Sequence, residues 1–184
     1  NNLFANFNKK NQTVVLTHKI VLRHLISKNH PEKSERILKL IKLLKEKRLG
    51  ILIREINLKT KGKDWVNSVH SNFHINSLKV KYPAGEESSL TAVKGCIQGI
   101  DEIMKNKNKN AFCAVRPPGH HALNTGKHEG FCYYNHIAIS AKYIQKKYKL
   151  KKILIIDWDY HHGNSTELFF YDDPSVLFFS THDE

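Results

Sequence analysis

"KKILIIDWDYHHGNS", residues 151–165, is the stretch on which the reading of this chain turns. Its apolar run, Ile153 to Ile156, is followed at once by Asp157, Asp159, His161, His162 and Gly163. A short continuous apolar run of this kind reads as a strand buried on both faces, the habit of parallel sheets covered by helices. Polar residues at the carboxyl end of such a strand stand where open α/β sheets bind their ligands. Alternate side chains of an extended segment share a face, so Asp157, Asp159 and His161 are expected to point the same way. Asp159 and His161 would then offer a carboxylate oxygen and an imidazole nitrogen to one ion, with Asp157 placed to orient a histidine. Taken alone, an Asp-x-His pair is short enough to be an ordinary polar turn.

Working outward, "SVLFFST" (175–181) is a second strand of the same doubly buried type, and "AFCAV" (111–115) a third, stopped by Pro117 and Pro118. Between them "NHIAISAKYIQKKY" (135–148) has helical spacing, with Asn135 as its cap. "SSLTAVKGCIQGIDEIM" (88–104) repeats Leu90, Val93, Ile97, Ile100 and Met104 at helical intervals behind a serine cap. "HPEKSERILKLIKLLKEKR" (30–48) is another helix, with Pro31 near its start and Ile37, Leu40, Ile41 and Leu44 on one face. "TVVLT" (13–17) and "GILIREI" (50–56) complete the strands. This alternation predicts βαβ units, a mainly parallel sheet and one α/β domain over residues 13–184. Residues 1–12 are expected to be a poorly ordered extension.

Three polar clusters follow strand ends in this scheme: "RPPGHH" (116–121), "DWDYHHG" (157–163) and "STHDE" (180–184). All three can converge on one site. Six of the twelve histidines fall between positions 120 and 162, which weighs against chance polar turns. The adjacent pair His120 and His121 beside a metal suits amide hydrolysis, where one imidazole takes a proton from water and another donor protonates the leaving amine.

The formal charge of +13 raises nucleic-acid binding, but the lysines are scattered opposite apolar stripes or in turns, and arginine is scarce. Direct nucleic-acid binding is therefore not expected. No run approaches the roughly 18 apolar residues that a membrane span requires, and no membrane association is expected. Cys96, Cys113 and Cys132 are odd in number and sit in apolar settings, which predicts free thiols and a cytoplasmic protein.

With these residues in view, "AVRPPGHHALNTGKHEGFCYYNHIAIS" and "KKILIIDWDYHHGNSTELFFYDDPSVLFFSTHD" closely resemble the zinc-dependent histone deacetylase superfamily. The likeness is to its class II and bacterial members, with acetylpolyamine amidohydrolases among the relatives. Upstream, "HPEKSER" and "VHS" resemble two further segments of that family. The resemblance implies an arginase-like three-layer α/β fold, incomplete in this chain, and hydrolysis of an acetylated lysine or a similar small acetylated amine by metal-activated water. It implies Asp159 and His161 as two of three metal ligands, zinc or ferrous iron, and His120 and His121 as the acid–base pair, supported by Asp157 and Asn164. It implies Gly130 and Phe131 as channel wall, and a structural potassium held by Asp157, Asp159, His161, Ser180 and Thr181.

The chain departs from the family pattern at three places. Ser165 stands where the family has a glycine, and would be strained if that position needs positive φ. The rim aspartate that grips substrate has no clear counterpart in "VKYPAGEESS", where Glu86 or Glu87 is the nearest substitute. The third metal ligand and the transition-state tyrosine have no counterpart, so the sequence is expected to be the N-terminal part of a deacetylase, inactive by itself. The alternative is a truncated, non-catalytic relative that works by binding a partner.

Overall fold

β-branched and apolar residues at Thr13–Thr17 (β1) form a central strand whose Val14, Val15 and Leu16 are fully buried. The computed structural model describes residues 13–24, 29–47 and 52–183; the proposed extension over 1–12 lies outside these. Leu52–Glu55 (β2) and Asn110–Cys113 (β3) flank β1 in parallel, giving the order β2-β1-β3. Ile153–Asp157 (β4) and Val176–Ser180 (β5) pair in parallel as a second sheet, with Asp157 opposite Ser180. Each sequence-predicted strand therefore forms, and every strand pairing among the described residues is parallel.

The helices carry two surprises. Pro83–Met104 (α4) starts five residues before the predicted serine cap, with Pro83 at its first turn, where a missing N–H is harmless. Ser88 and Ser89 sit inside it instead: Ser88 Oγ donates to Ile20 O at 2.9 Å and Ser89 Oγ accepts from Tyr134 N at 3.1 Å. Glu35–Glu46 (α1) begins after the His-Pro-Glu segment, because Glu32 is committed to an ion pair. His136–Tyr148 (α5) follows the cap predicted for it, Asn135 Oδ1 accepting from Ala138 N at 2.9 Å. Lys63–Val66 (α2), Asn72–Lys81 (α3) and Asn164–Phe170 (α6) complete the set. None of the described helices is long and apolar enough to cross a membrane.

Val93 and Ile97 of α4 pack with Ile139 and Tyr143 of α5, Leu78 and Tyr134 to form the main core, while Ala138, Ile155, Phe170 and Val176 fill the space under the second sheet. One expectation is corrected here. β4 and β5 are buried on one face only: Leu154, Ile156, Leu177 and Phe179 are 58, 52, 65 and 54 % exposed. Strand pleating turns these alternate residues away from α5 and α6, and no described element covers them.

The first sheet is closed at its carboxyl end by a buried ion pair. Arg116, just past β3, donates through Nε and Nη2 to both oxygens of Glu32, at 2.7 and 2.8 Å, and through Nη1 to Val21 O at 3.1 Å. His24 Nε2 stands 3.2 Å from Glu32 Oε2, within ion-pair range but outside hydrogen-bond alignment. Burial alone would raise the Glu32 carboxyl; contact with His24 and Arg116 overcomes this and holds it at about 2.

Candidate active site

Three chain segments meet beyond the ends of β3, β4 and β5. The Arg116-to-His121 segment follows β3, and its histidines reach the carboxylates that follow β4. His120 Nδ1 is 2.9 Å from Asp157 Oδ2, which can only accept, so the proton sits on Nδ1 and Nε2 faces Asp159 Oδ1 at 3.8 Å. His121 Nδ1 is 2.7 Å from Asn164 Oδ1, which likewise fixes the proton on Nδ1 and leaves Nε2 as the acceptor. The two rings are 4.1 Å apart between centroids. Burial is the main influence lowering the His121 pKa; Asn164 opposes it, and His120 and His161 add to it, so the neutral form is favoured.

Asp159 and His161 lie on the open side of this pair, with Asp159 Oδ1 3.4 Å from His161 Nδ1. Burial raises the Asp159 carboxyl, but the His161 amide, which donates to it at 2.9 Å, and the charges of His120 and His161 bring it below its usual range. A metal ion of the expected kind requires at least three protein donors. Among the described residues no three His, Cys, Asp or Glu side chains cluster as one ion requires; Asp159 and His161, the two expected ligands, stand side by side. Of the residues expected around potassium, Asp157, Ser180 and Thr181 meet at one strand end, where Thr181 N donates to Asp157 O at 3.0 Å.

Two glycines let backbone approach the imidazoles. A Cβ on Gly130, whose φ is +49°, would fall 2.3 Å from His121 Cδ2. One on Gly163 would fall 2.4 Å from Asp157 Oδ2 and disturb its bond to His120. Phe131 follows Gly130 with φ of +67°, a left-handed conformation uncommon for a bulky residue, and packs edge-on against His30 at 4.4 Å. Of the two residues expected to form a channel wall, Gly130 stands against His121, and Phe131 follows it in the chain with its ring against His30.

Sequence reasoning overlooked what holds this wall. His70 and His74 stack beneath it, 4.9 Å apart. His74 accepts from Gly126 N at 3.1 Å and donates to Tyr133 O at 2.8 Å, while His70 accepts from Asn135 N at 2.8 Å. Burial, then the neighbouring His74, lowers the His70 pKa to about 3, so the pair is neutral. The visible signal was "VHSNFH", two histidines four positions apart, which is helical spacing.

Two sequence expectations need correction. Ser165 is in α6 and is not among the positive-φ residues Asn106, Phe131 and Lys149, so it carries no left-handed strain. Glu86 is unavailable to a substrate rim: it is buried and accepts from Tyr134 Oη at 2.8 Å. Glu87 is more exposed and is held by Arg23 at 2.8 Å.

Comparison with known proteins places this arrangement. A family model described as "Histone deacetylase domain" matches residues 30–184. The chain is 33 % identical to histone deacetylase 6 of Caenorhabditis elegans over 180 residues, covering 84 % of this chain and 18 % of that protein. It is 46 % identical to polyamine deacetylase HDAC10 of Danio rerio over 91 residues, covering 50 % of this chain and 13 % of that protein. The solved HDA15 HD domain superposes with a TM-score of 0.82 at 27 % identity, covering 95 % of this chain and 54 % of that one. The arginase-like α/β fold expected from the sequence is the fold of that structure, and this chain is part of such a domain.

Proposed function

The chain belongs to the histone deacetylase family, and from that premise we propose that the protein containing it removes acetyl groups from acetylated lysine or a small acetylated amine. The observation that carries this reading is the pair of fixed imidazoles, His120 on Asp157 and His121 on Asn164, beside Asp159 and His161. His121 Nε2, unprotonated and on the open side, is the base that takes a proton from water. His120, oriented by Asp157 at 2.9 Å and with its ring 4.1 Å from that of His121, is the partner that shares that proton and returns it to the leaving amine. Phe131 would offer an aromatic surface to an apolar stem, and Gly130 lets the backbone before it stand close to His121.

Asp159 and His161 would hold zinc or ferrous iron together with a further ligand that the described residues do not include. When bound, such an ion polarises the acetyl carbonyl and makes water more acidic. A potassium ion at the Asp157, Ser180 and Thr181 strand end would steady the segment that carries both donors. A cytoplasmic setting goes with the three free cysteines.

Acetate release from an acetyl-lysine peptide and from an N-acetylpolyamine, with and without a chelator, tests this reading. Chelator-sensitive release from either substrate supports it, and the better substrate fixes the class. No release from either, with the fold intact, overturns catalysis and favours the non-catalytic, partner-binding alternative.

A further inference from the structure

Ser165 occupies a position that the mechanism above does not use, yet it is fully buried between both parts of the site. Its backbone N–H donates to His120 O at 3.1 Å and its Oγ donates to Ala122 O at 2.7 Å. The same Oγ accepts from Asn135 Nδ2 at 2.8 Å. The two carbonyls it grips flank His121, and the residue before it, Asn164, holds the His121 ring. Asn135 in turn caps α5 and donates its own N–H to the buried imidazole of His70.

From this geometry we infer that Ser165 is a positioning residue for His121, its hydroxyl fixing the His120–Ala122 backbone against the first turn of α6 so that ring and Asn164 keep their register. The inference rests on the deacetylase reading for its consequence in turnover, but not for the contact itself. A glycine could supply the N–H bond to His120 O and nothing more. The serine hydroxyl adds a donor that meets a buried carbonyl and an acceptor that meets a buried amide, so neither is left unpaired. The loop that carries His121 is thereby tied to α5 as well as to α6.

Thr166 supplies the control. It is as buried as Ser165 and accepts from the same Asn135 Nδ2, at 2.9 Å, but its side chain makes no hydrogen bond to the His120–Ala122 segment. A role in general packing of Asn135 belongs to both residues; a role in placing His121 belongs to Ser165 alone.

The test compares Ser165→Ala, Ser165→Cys and Thr166→Val in the full natural protein, with kinetics, thermal stability and amide hydrogen exchange over residues 117–123. Small misplacements of reacting groups have large kinetic effects, so Ser165→Ala should lower kcat by about tenfold with KM within about twofold. Exchange in the 117–123 segment should rise, Ser165→Cys should be intermediate, and Thr166→Val should leave kcat and that segment unchanged. Equal kcat losses in Ser165→Ala and Thr166→Val, or wild-type kcat and exchange in Ser165→Ala, would overturn the inference. If Ser165→Ala does not fold, Ser165→Cys carries the same comparison against Thr166→Val. An unaltered protein that releases no acetate counts against the deacetylase reading, and the exchange comparison then decides the positioning role by itself.

Discussion

The sheet built on β1 and the sheet of β4 and β5 use similar apolar strands to opposite ends. β1 is enclosed on both faces, flanked by two strands and closed at one end by the Arg116–Glu32 ion pair. β4 and β5 keep one face open and carry the residues of the site at their ends. In the first sheet, order comes from burial; in the second, the site side chains are held by hydrogen bonds, His120 to Asp157 and His121 to Asn164. The contrast separates stability from chemistry, and mutations should separate them too.

Replacing His121 with alanine is expected to have the largest functional effect, a fall in turnover of about 10²- to 10⁴-fold, as for loss of a general acid–base group. Its side chain is only half-buried, so stability should change by about 1 kcal/mol or less. Steady-state kinetics beside a denaturant titration checks both numbers. Turnover retained at the unaltered rate would remove His121 from the mechanism.

The reverse profile is expected in the first sheet. Glu32→Gln leaves the buried Arg116 guanidinium without its counter-charge and should cost about 3 to 5 kcal/mol. Acid should act by the same route. Glu32 is held at about 2 against an ordinary 4.5, so its contribution is complete above about 4.5 and is lost as pH falls through about 2. His70 is lowered from 6.5 to about 3, so the unfolded chain takes up its proton first, and stability begins to fall as pH drops below about 6.5. Unfolding midpoints measured from pH 7 to pH 2 should therefore decline throughout, with the part below about 4.5 reduced in Glu32→Gln. A flat profile would show that neither group is held as described.

Leu16→Ala comes next, at about 2 to 5 kcal/mol, because its side chain is fully buried at the centre of β1. Denaturant titration should find this loss without a change in KM of the active protein, since Leu16 packs in a cluster with Val14, Ile56, Ala111, Cys113 and Val115, away from the imidazoles.

How much of this was legible in the sequence divides along the same line. Period and composition located β1, β4, β5 and α5, and strand-end placement brought His120, His121, Asp157, Asp159 and His161 together on the page as they are in space. Gly130, Phe131 and Asn164 were found only through resemblance, since nothing in their spacing marks them. The buried polar bonds were invisible: Glu32 and Arg116 are 84 positions apart, and His70 and Asn135 are 65 apart. Hydrophobic period reports which face of an element is buried, not which distant polar group will meet another. Ser88 and Ser89 misled for a related reason, because a serine before an apolar run signals a cap only when the chain has not already begun to turn, and Pro83 starts the helix earlier.

The open face of β4 gives the smallest effect and the most direct test of the contrast, because it can be made within two adjacent residues. Ile155 is 8 % exposed and packs in the cluster with Ala138, Phe170 and Val176, while Ile156 is 52 % exposed on the opposite face. Ile155→Ala should cost about 2 to 4 kcal/mol by opening a cavity. Ile156→Ala, made in the 184-residue chain, should cost only about 0.5 to 1 kcal/mol, the loss of a β-branched residue from a half-buried strand. Continuous apolarity along "ILII" gave both residues the same expectation of burial, and only the pleat together with what lies above each face distinguishes them. Equal losses at the two positions would mean that the Ile156 face is covered in solution, and sedimentation of the same samples would then tell whether a second copy covers it.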